Sequence, residues 1–166
     1  MKKILLTILI SVAMVGCGQN QSAKEQKYQG VQEQKDYIAE GVKYLEQADI
    51  PSAIRSFDEA IKQDPTNVEN YITLGEVYLR LNNFDRAVDS FSAATRVEPQ
   101  NAEVRYLLAT SKAFKAARET DQAQADLVRG DAINEAQKSA EMFLLNKNEE
   151  GLKKALALVK SLQEVQ

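Results

Sequence analysis

Two nine-residue stretches, YIAEGVKYL at residues 37–45 and YITLGEVYL at residues 71–79, decide the fold. They stand 34 positions apart, and the same shift brings Ala53 onto Ala87, Phe57 onto Phe91, Ala60 onto Ala94 and Pro65 onto Pro99. Ser56 with Ser90 and Asn67 with Asn101 repeat as well. A fixed period of this length is the mark of stacked supersecondary units. Within each copy the apolar residues recur at helical spacing. In the first copy they fall at Tyr37, Ile38, Gly41, Val42, Tyr44 and Leu45, and then at Ile50, Ala53, Ile54, Phe57, Ala60 and Ile61. Each copy therefore predicts a helical hairpin. Pro65 and Pro99 cannot continue a helix, and Asn67 and Asn101 stand where a cap would accept the first free amides of the next one. Glu69 and Glu103 then sit in a positive first turn. Glycine inside a helix costs about 1 kcal/mol relative to alanine. Its recurrence at Gly41 and Gly75 predicts close helix packing against Ala53 and Ala87, with Phe57 and Phe91 filling between.

The series aromatic, Leu-Gly, Tyr, Ala, Phe, Ala, Pro resembles the signature of the tetratricopeptide repeat (TPR). The second copy carries it completely. The first has Glu40 where the family prefers Leu before the glycine, and both have Tyr where Trp is commonest. The resemblance implies an all-α fold, a short TPR-type α-α superhelix with repeats at 34–67 and 68–101. A third, degenerate repeat with an extended helix is expected at 102–147, where Leu108-Ala109 replace Leu74-Gly75 and Lys112, Asp121 and Ala125 stand at the family's Tyr, Ala and Phe positions. Val104, Leu107, Leu108 and Phe114 still describe an amphipathic helix. After the Thr120-Asp121 cap signal comes a stripe at Val128, Ala132, Ala136 and Ala140, ending at Phe143 and Leu144, with Gly130 as a point where the helix could kink. Asn148-Glu149-Glu150 opens a last helix at 148–166, whose Leu152, Leu156, Val159 and Leu162 are expected to seal the open end of the solenoid. Seven helices are predicted.

The start of the chain reads differently. Met1, Lys2 and Lys3 precede an apolar run from Ile4 to Val15, broken only by Thr7 and Ser11. At 12 residues the run falls short of the roughly 20 that a spanning helix needs and fits an export signal over residues 1–16. Met14-Val15-Gly16-Cys17 resembles the lipobox of bacterial lipoproteins, with Met14 where Leu is usual. That resemblance implies cleavage before Cys17 and covalent lipid, palmitate among the acyl chains, on its thiol and new amino terminus; two or more chains suffice for stable anchoring. The expected location is the cell membrane, lipid-anchored after export. Gly18 differs from the aspartate that resembles an inner-membrane retention signal, so a cell with two membranes is expected to hold the protein on its outer membrane, facing the periplasm. Residues 17–33 are mostly Gln, Lys, Glu, Ser and Gly and read as a flexible tether.

Composition excludes much else. Without Lys2 and Lys3 the chain has 19 basic residues against 24 acidic ones, so a nucleic-acid partner is not expected. With no histidine and one cysteine there is no internal disulfide, no histidine-based triad and no His- or multi-Cys zinc site. Asp121, Asp126 and Asp131 are spaced by five, a step of about 140 degrees on a helix, which scatters them around the axis. No enzyme activity, metal or cofactor is expected beyond the lipid on Cys17. In the resembled family the first helix of each repeat lines a concave groove. The positions here that would line it, outside the signature, are Ile38, Val42, Leu45, Ile72, Glu76, Leu79, Arg80, Tyr106 and Thr110. The clamp of Lys, Asn and Arg by which some family members grip a chaperone's terminal carboxylate would fall at Ile38, Val42, Thr73, Glu103 and Leu107, and none of these matches. The resemblances together imply a membrane-anchored protein-binding scaffold of the bacterial cell envelope, as small lipoproteins of this family serve in pilus, secretin and outer-membrane assembly. Its partners would be an envelope protein in the groove and the bilayer at the acyl chains. The alternative is a structural lipoprotein that self-associates as a homodimer, with the groove occluded.

Overall fold

Short Asp and Asn side chains open the helices of this chain, because each can accept a hydrogen bond from an amide that the first helical turn leaves unpaired. The computed structural model describes residues 37–165, and seven helices lie among them. Helix α1 covers 37–46, α2 is Ile50–Gln63, α3 is Val68–Arg80, α4 is Phe84–Val97, α5 is Ala102–Arg118, α6 is Gln122–Leu145 and α7 is Glu149–Gln163. The caps of α2 to α7 are Asp49, Asn67, Asn83, Asn101, Asp121 and Asn148, each accepting from a backbone N–H two or three residues on. The signal segment, Cys17 and the tether lie outside the described residues.

Three of the connections share one turn. Ala48, Asn82 and Lys147 adopt φ of 57°, 55° and 55°, and each stands directly before a capping residue. Two backbone bonds close each turn: Asn82 N–H to the Leu79 carbonyl at 3.0 Å and Asn83 N–H to Tyr78 at 2.9 Å, matched by Lys147 to Leu144 at 3.1 Å and Asn148 to Phe143 at 2.9 Å. This is the left-handed stop that satisfies the last carbonyls of a helix. The hairpins α1–α2, α3–α4 and α6–α7 are thus locally alike, whereas α5 leaves through an extended residue, Glu119.

The helical glycines pack differently from the sequence-based expectation. A Cβ added at Gly41 would lie 2.6 Å from the Phe57 ring, and one at Gly75 would lie 2.7 Å from the Phe91 ring. The nearest neighbours are therefore the rings, and Ala53 and Ala87 are buried beside them in the same cluster with Leu74, Val77, Tyr78 and Leu108. In the last hairpin the pair is inverted, since Gly151 of α7 receives the Phe143 ring of α6. A second cluster joins Ala102, Ala140, Phe143 and Ala155.

Polar bonds hold the degenerate third unit where the signature is missing. Ala132, Ala136 and Ala140 are buried along α6, and the Ser139 hydroxyl donates to the Ala102 carbonyl at 2.8 Å. Arg105 on α5 pairs with Glu135 on α6 at 2.6 Å, with side chains only 15% and 13% exposed, and also donates to the Pro99 carbonyl at 3.0 Å. Helix α6 stays helical through Gly130, where an added Cβ would meet nothing within 4 Å. Three residues on the apolar faces read from the sequence are exposed: Phe114 by 49%, Leu144 by 62% and Leu156 by 52%. Phe114 instead stacks on Phe84 with centroids 5.3 Å apart. Seating of Phe143 on Gly151 turns α7 so that Gly151, Ala155 and Leu162 make its seal and Leu156 faces out.

Two outcomes follow for stability. Gly75→Ala is expected to lower the unfolding free energy by about 1–2 kcal/mol, because overpacking outweighs the helix-propensity gain, while Gly130→Ala raises it by up to about 1 kcal/mol. Urea denaturation monitored by circular dichroism checks both. Glu135→Ala is expected to cost about 1–3 kcal/mol in the same assay by leaving the half-buried Arg105 charge without its carboxylate, more than a surface change does.

Candidate protein-binding face

Residues on the first helix of a hairpin that do not face their partner helix form a row across the repeats. On α1, Ile38 and Leu45 are half-buried, and Val42 is 43% exposed. On α3, Ile72 and Leu79 are half-buried, and Glu76 and Arg80 are exposed. Ile38, Leu45, Ile72 and Leu79 all pack on the first core cluster, so the structure brings these four together. Their edges stay open to solvent because α6 and α7 make their main packing contacts with α5 and with each other. Tyr106, one period on from Ile72, is half-buried on α5 and packs on the second cluster with Phe143 and Ala155. Thr110 spends its hydroxyl on the Tyr106 carbonyl of its own helix at 2.9 Å. The face is thus an apolar row on α1 and α3, edged by Glu76 and Arg80, and it changes character at α5.

Surface features that the repeat pattern did not single out lie along other edges. Phe84, Phe114 and Arg118 form a shelf, with the Arg118 guanidinium 5.2 Å from the Phe84 ring centre. Lys115 pairs with Asp85 beside it, and a cleft of about 680 Å³ opens there. Phe84 falls just after a cap and outside the 34-residue matches, which is why periodicity passes over it. A second cleft, of about 530 Å³, runs between α6 and α7 along Ala140, Leu144, Leu152 and Leu156. At the opposite end, Tyr37, Glu40, Tyr44, Ser52, Arg55, Ser56 and Glu59 line a polar hollow of about 220 Å³. Glu40 accepts a hydrogen bond from the Tyr44 hydroxyl at 3.2 Å, and its charge raises the phenol above its usual range. Burial likewise raises the Asp58 carboxyl. Asp126 and Asp131 are exposed and engage Arg129 and Lys112, while Asp121 caps α6. Among the described residues no group of three or more His, Cys, Asp or Glu could hold a metal ion.

Comparison with known proteins agrees with this architecture. Residues 44–111 match the family described as tetratricopeptide repeat. The chain resembles the TPR2B domain of yeast Sti1, solved in its pHsp70 complex, with a TM-score of 0.65 at 16% identity, covering 81% of this chain and 99% of that one. The Arabidopsis OM64 TPR domain gives a TM-score of 0.60 at 16% identity, covering 81% and 98%. A thermophilic TPR protein of Thermus thermophilus gives 0.54 at 17%, covering 75% and 74%. A comparison with curated proteins finds no match. The fold is a TPR-type α-α superhelix.

Within the apolar row, exposure separates surface from support. Val42→Glu is expected to change the unfolding free energy by no more than about 0.5 kcal/mol, whereas Leu79→Glu, set against the first core cluster, loses about 2 kcal/mol. Thermal and urea unfolding of the two variants side by side measures the difference.

Proposed function

We propose that this chain is a membrane-anchored scaffold of the bacterial cell envelope that binds another protein along the first-helix face of its repeats. The observation that carries the proposal is the row Ile38, Val42, Leu45, Ile72 and Leu79, apolar and open at its edge, on a fold of rigid stacked hairpins. Exposed apolar surface is avoided unless it is used. An amphipathic helix or an extended apolar segment suits such a surface, with the apolar side chains giving affinity and Glu76 and Arg80 setting register. Assembly of an envelope complex such as a pilus, secretin or outer-membrane machine is the setting this reading favours. The Sti1 domain it resembles is in complex with pHsp70. Here the positions of the chaperone clamp carry Ile38, Val42, Thr73, Glu103 and Leu107, so a terminal carboxylate lacks its cationic partners and a different ligand is favoured.

Anchoring rests on the sequence before the domain. The basic start, the 12-residue apolar run and Cys17 fit a lipidated N-terminus, and among the described residues no helix is long and apolar enough to cross a membrane. The tether of residues 17–33 would give a reach of roughly 20–25 Å, enough for the domain to reorient above the bilayer.

Two outcomes test the reading. Cys17→Ser is expected to abolish acyl-chain incorporation, read by mass spectrometry of the purified chain, and to leave the export signal uncleaved. A protein captured by the full chain from detergent-solubilised envelope is expected to be lost with Val42→Glu while that variant keeps its unfolding midpoint. Equal capture by both, or none by either, excludes the first-helix face as the binding surface.

A further inference from the structure

The two ends of the superhelix are chemically unlike. The hollow at the α1–α2 end is lined by the charged side chains Glu40, Arg55 and Glu59 with Tyr37, Tyr44 and two serines. The α6–α7 end is not finished in this way. Its hairpin closes on the same left-handed turn as α3–α4, and the outward cleft is floored by Ala140, Leu144, Leu152 and Leu156. Leu144 and Leu156 are 62% and 52% exposed. In the second repeat, Phe91 is fully buried and shares its cluster with Leu108 of the next hairpin's first helix. Among the described residues nothing takes that place beside Leu156.

An acid stands on one rim of this cleft and two bases on the other, one of which, Lys160, also lies 3.8 Å from Glu164 of its own helix. Glu141 lies on the α6 rim, three residues before Leu144 and four after Gln137. On the α7 rim, exposed Lys153 and Lys160 flank Leu156 at three residues before and four after, with Glu149 at the helix start. An apolar floor with an acid on one helix and bases on the other is complementary to itself. A two-fold axis lying in the interface along the cleft lays each α6 over the partner's α7 and sets each Glu141 toward the partner's Lys153 and Lys160.

We propose that two copies of this chain associate tail to tail through the apolar cleft between α6 and α7, forming a closed pair whose first-helix faces stay free. Head-to-tail stacking is disfavoured, because it would set Glu40, Arg55 and Glu59 of the α1–α2 hollow against leucines. Residues 18–33 of the same chain are a poor occupant, since their apolar residues are only Ala23, Tyr28 and Val31 and have no helical period. The inference does not depend on the first-helix face binding anything.

The test uses two differently tagged copies of the full chain, co-expressed in the envelope, with the photoreactive residue p-benzoylphenylalanine in place of Gln137. Irradiation is expected to give a covalent product of twice the chain mass that carries both tags. Leu156→Glu should cut its yield about tenfold or more, a factor equal to one decade in association constant. Glu141→Lys should weaken it too, and Glu141→Lys combined with Lys153→Glu and Lys160→Glu should restore it. Val42→Glu should leave it unchanged. The proposal is overturned by absence of a doubly tagged product, by a yield indifferent to Leu156→Glu, by failure of the charge swap to restore it, or by an equal loss with Val42→Glu. A product joining one copy to a different protein also overturns it.

Discussion

The contact of a phenylalanine ring with a helical glycine sets the geometry of this protein. At Gly41 and Gly75 the ring of Phe57 or Phe91 occupies the space that any Cβ would claim. The glycine weakens its own helix by about 1 kcal/mol, and the ring fills the site so that two helices approach closely with no void between them. Once that distance is set, Ala53 and Ala87 must be small, and Leu74, Val77 and Tyr78 close around the ring. Burial of Phe91 then requires a cover from the next hairpin, which Leu108 supplies. Each repeat therefore depends on its successor, as in any solenoid.

The third unit keeps the stacking but replaces the interaction. With Ala109 in place of the glycine and Ala125 in place of the phenylalanine, ring packing gives way to a small-residue seam of Ala132, Ala136 and Ala140. The half-buried Arg105–Glu135 pair and the Ser139 hydroxyl bond to Ala102 fix the register of that seam. Alanine against alanine has little shape to specify which turn meets which, and directional polar bonds supply what shape does not. The longer helices that result carry Phe114 past the preceding repeat, where it finds Phe84 and Arg118 instead of the core.

The functional consequence is a molecule with distinct surfaces on one rigid frame. The row on α1 and α3 is apolar at its base and charged at Glu76 and Arg80, suited to holding a segment of another protein. The α1–α2 end presents Glu40, Arg55 and Glu59, whereas the α6–α7 end presents Leu144, Leu152 and Leu156. A tail-to-tail pair would present two such rows, and a pair of lipid anchors would hold both at one membrane. Bivalent presentation of this kind raises avidity without any new contact, provided geometry lets both sites engage.

How much of this was legible in the sequence depends on the length scale of the cause. The 34-residue period, the Asx caps at Asn67, Asn101, Asp121 and Asn148, the proline stops and the seven helices are local effects, written where they act; capping and helical periodicity are decided within a few residues. The apolar run from Ile4 to Val15 and the single Cys17 are likewise a matter of sequence, as are the missing histidines that narrow the possible chemistry. Tertiary structure decided what depends on a neighbour distant in the chain. It made the Phe57 and Phe91 rings the nearest neighbours of the glycines, packed Tyr106 on the second cluster, and left Leu144 and Leu156 in the open. Helical spacing says which residues share a face, but an apolar face can be wider than the surface that covers it. On α7 the seating of Phe143 on Gly151, with Ala155 beside it in the second cluster, goes with which part of that face is buried.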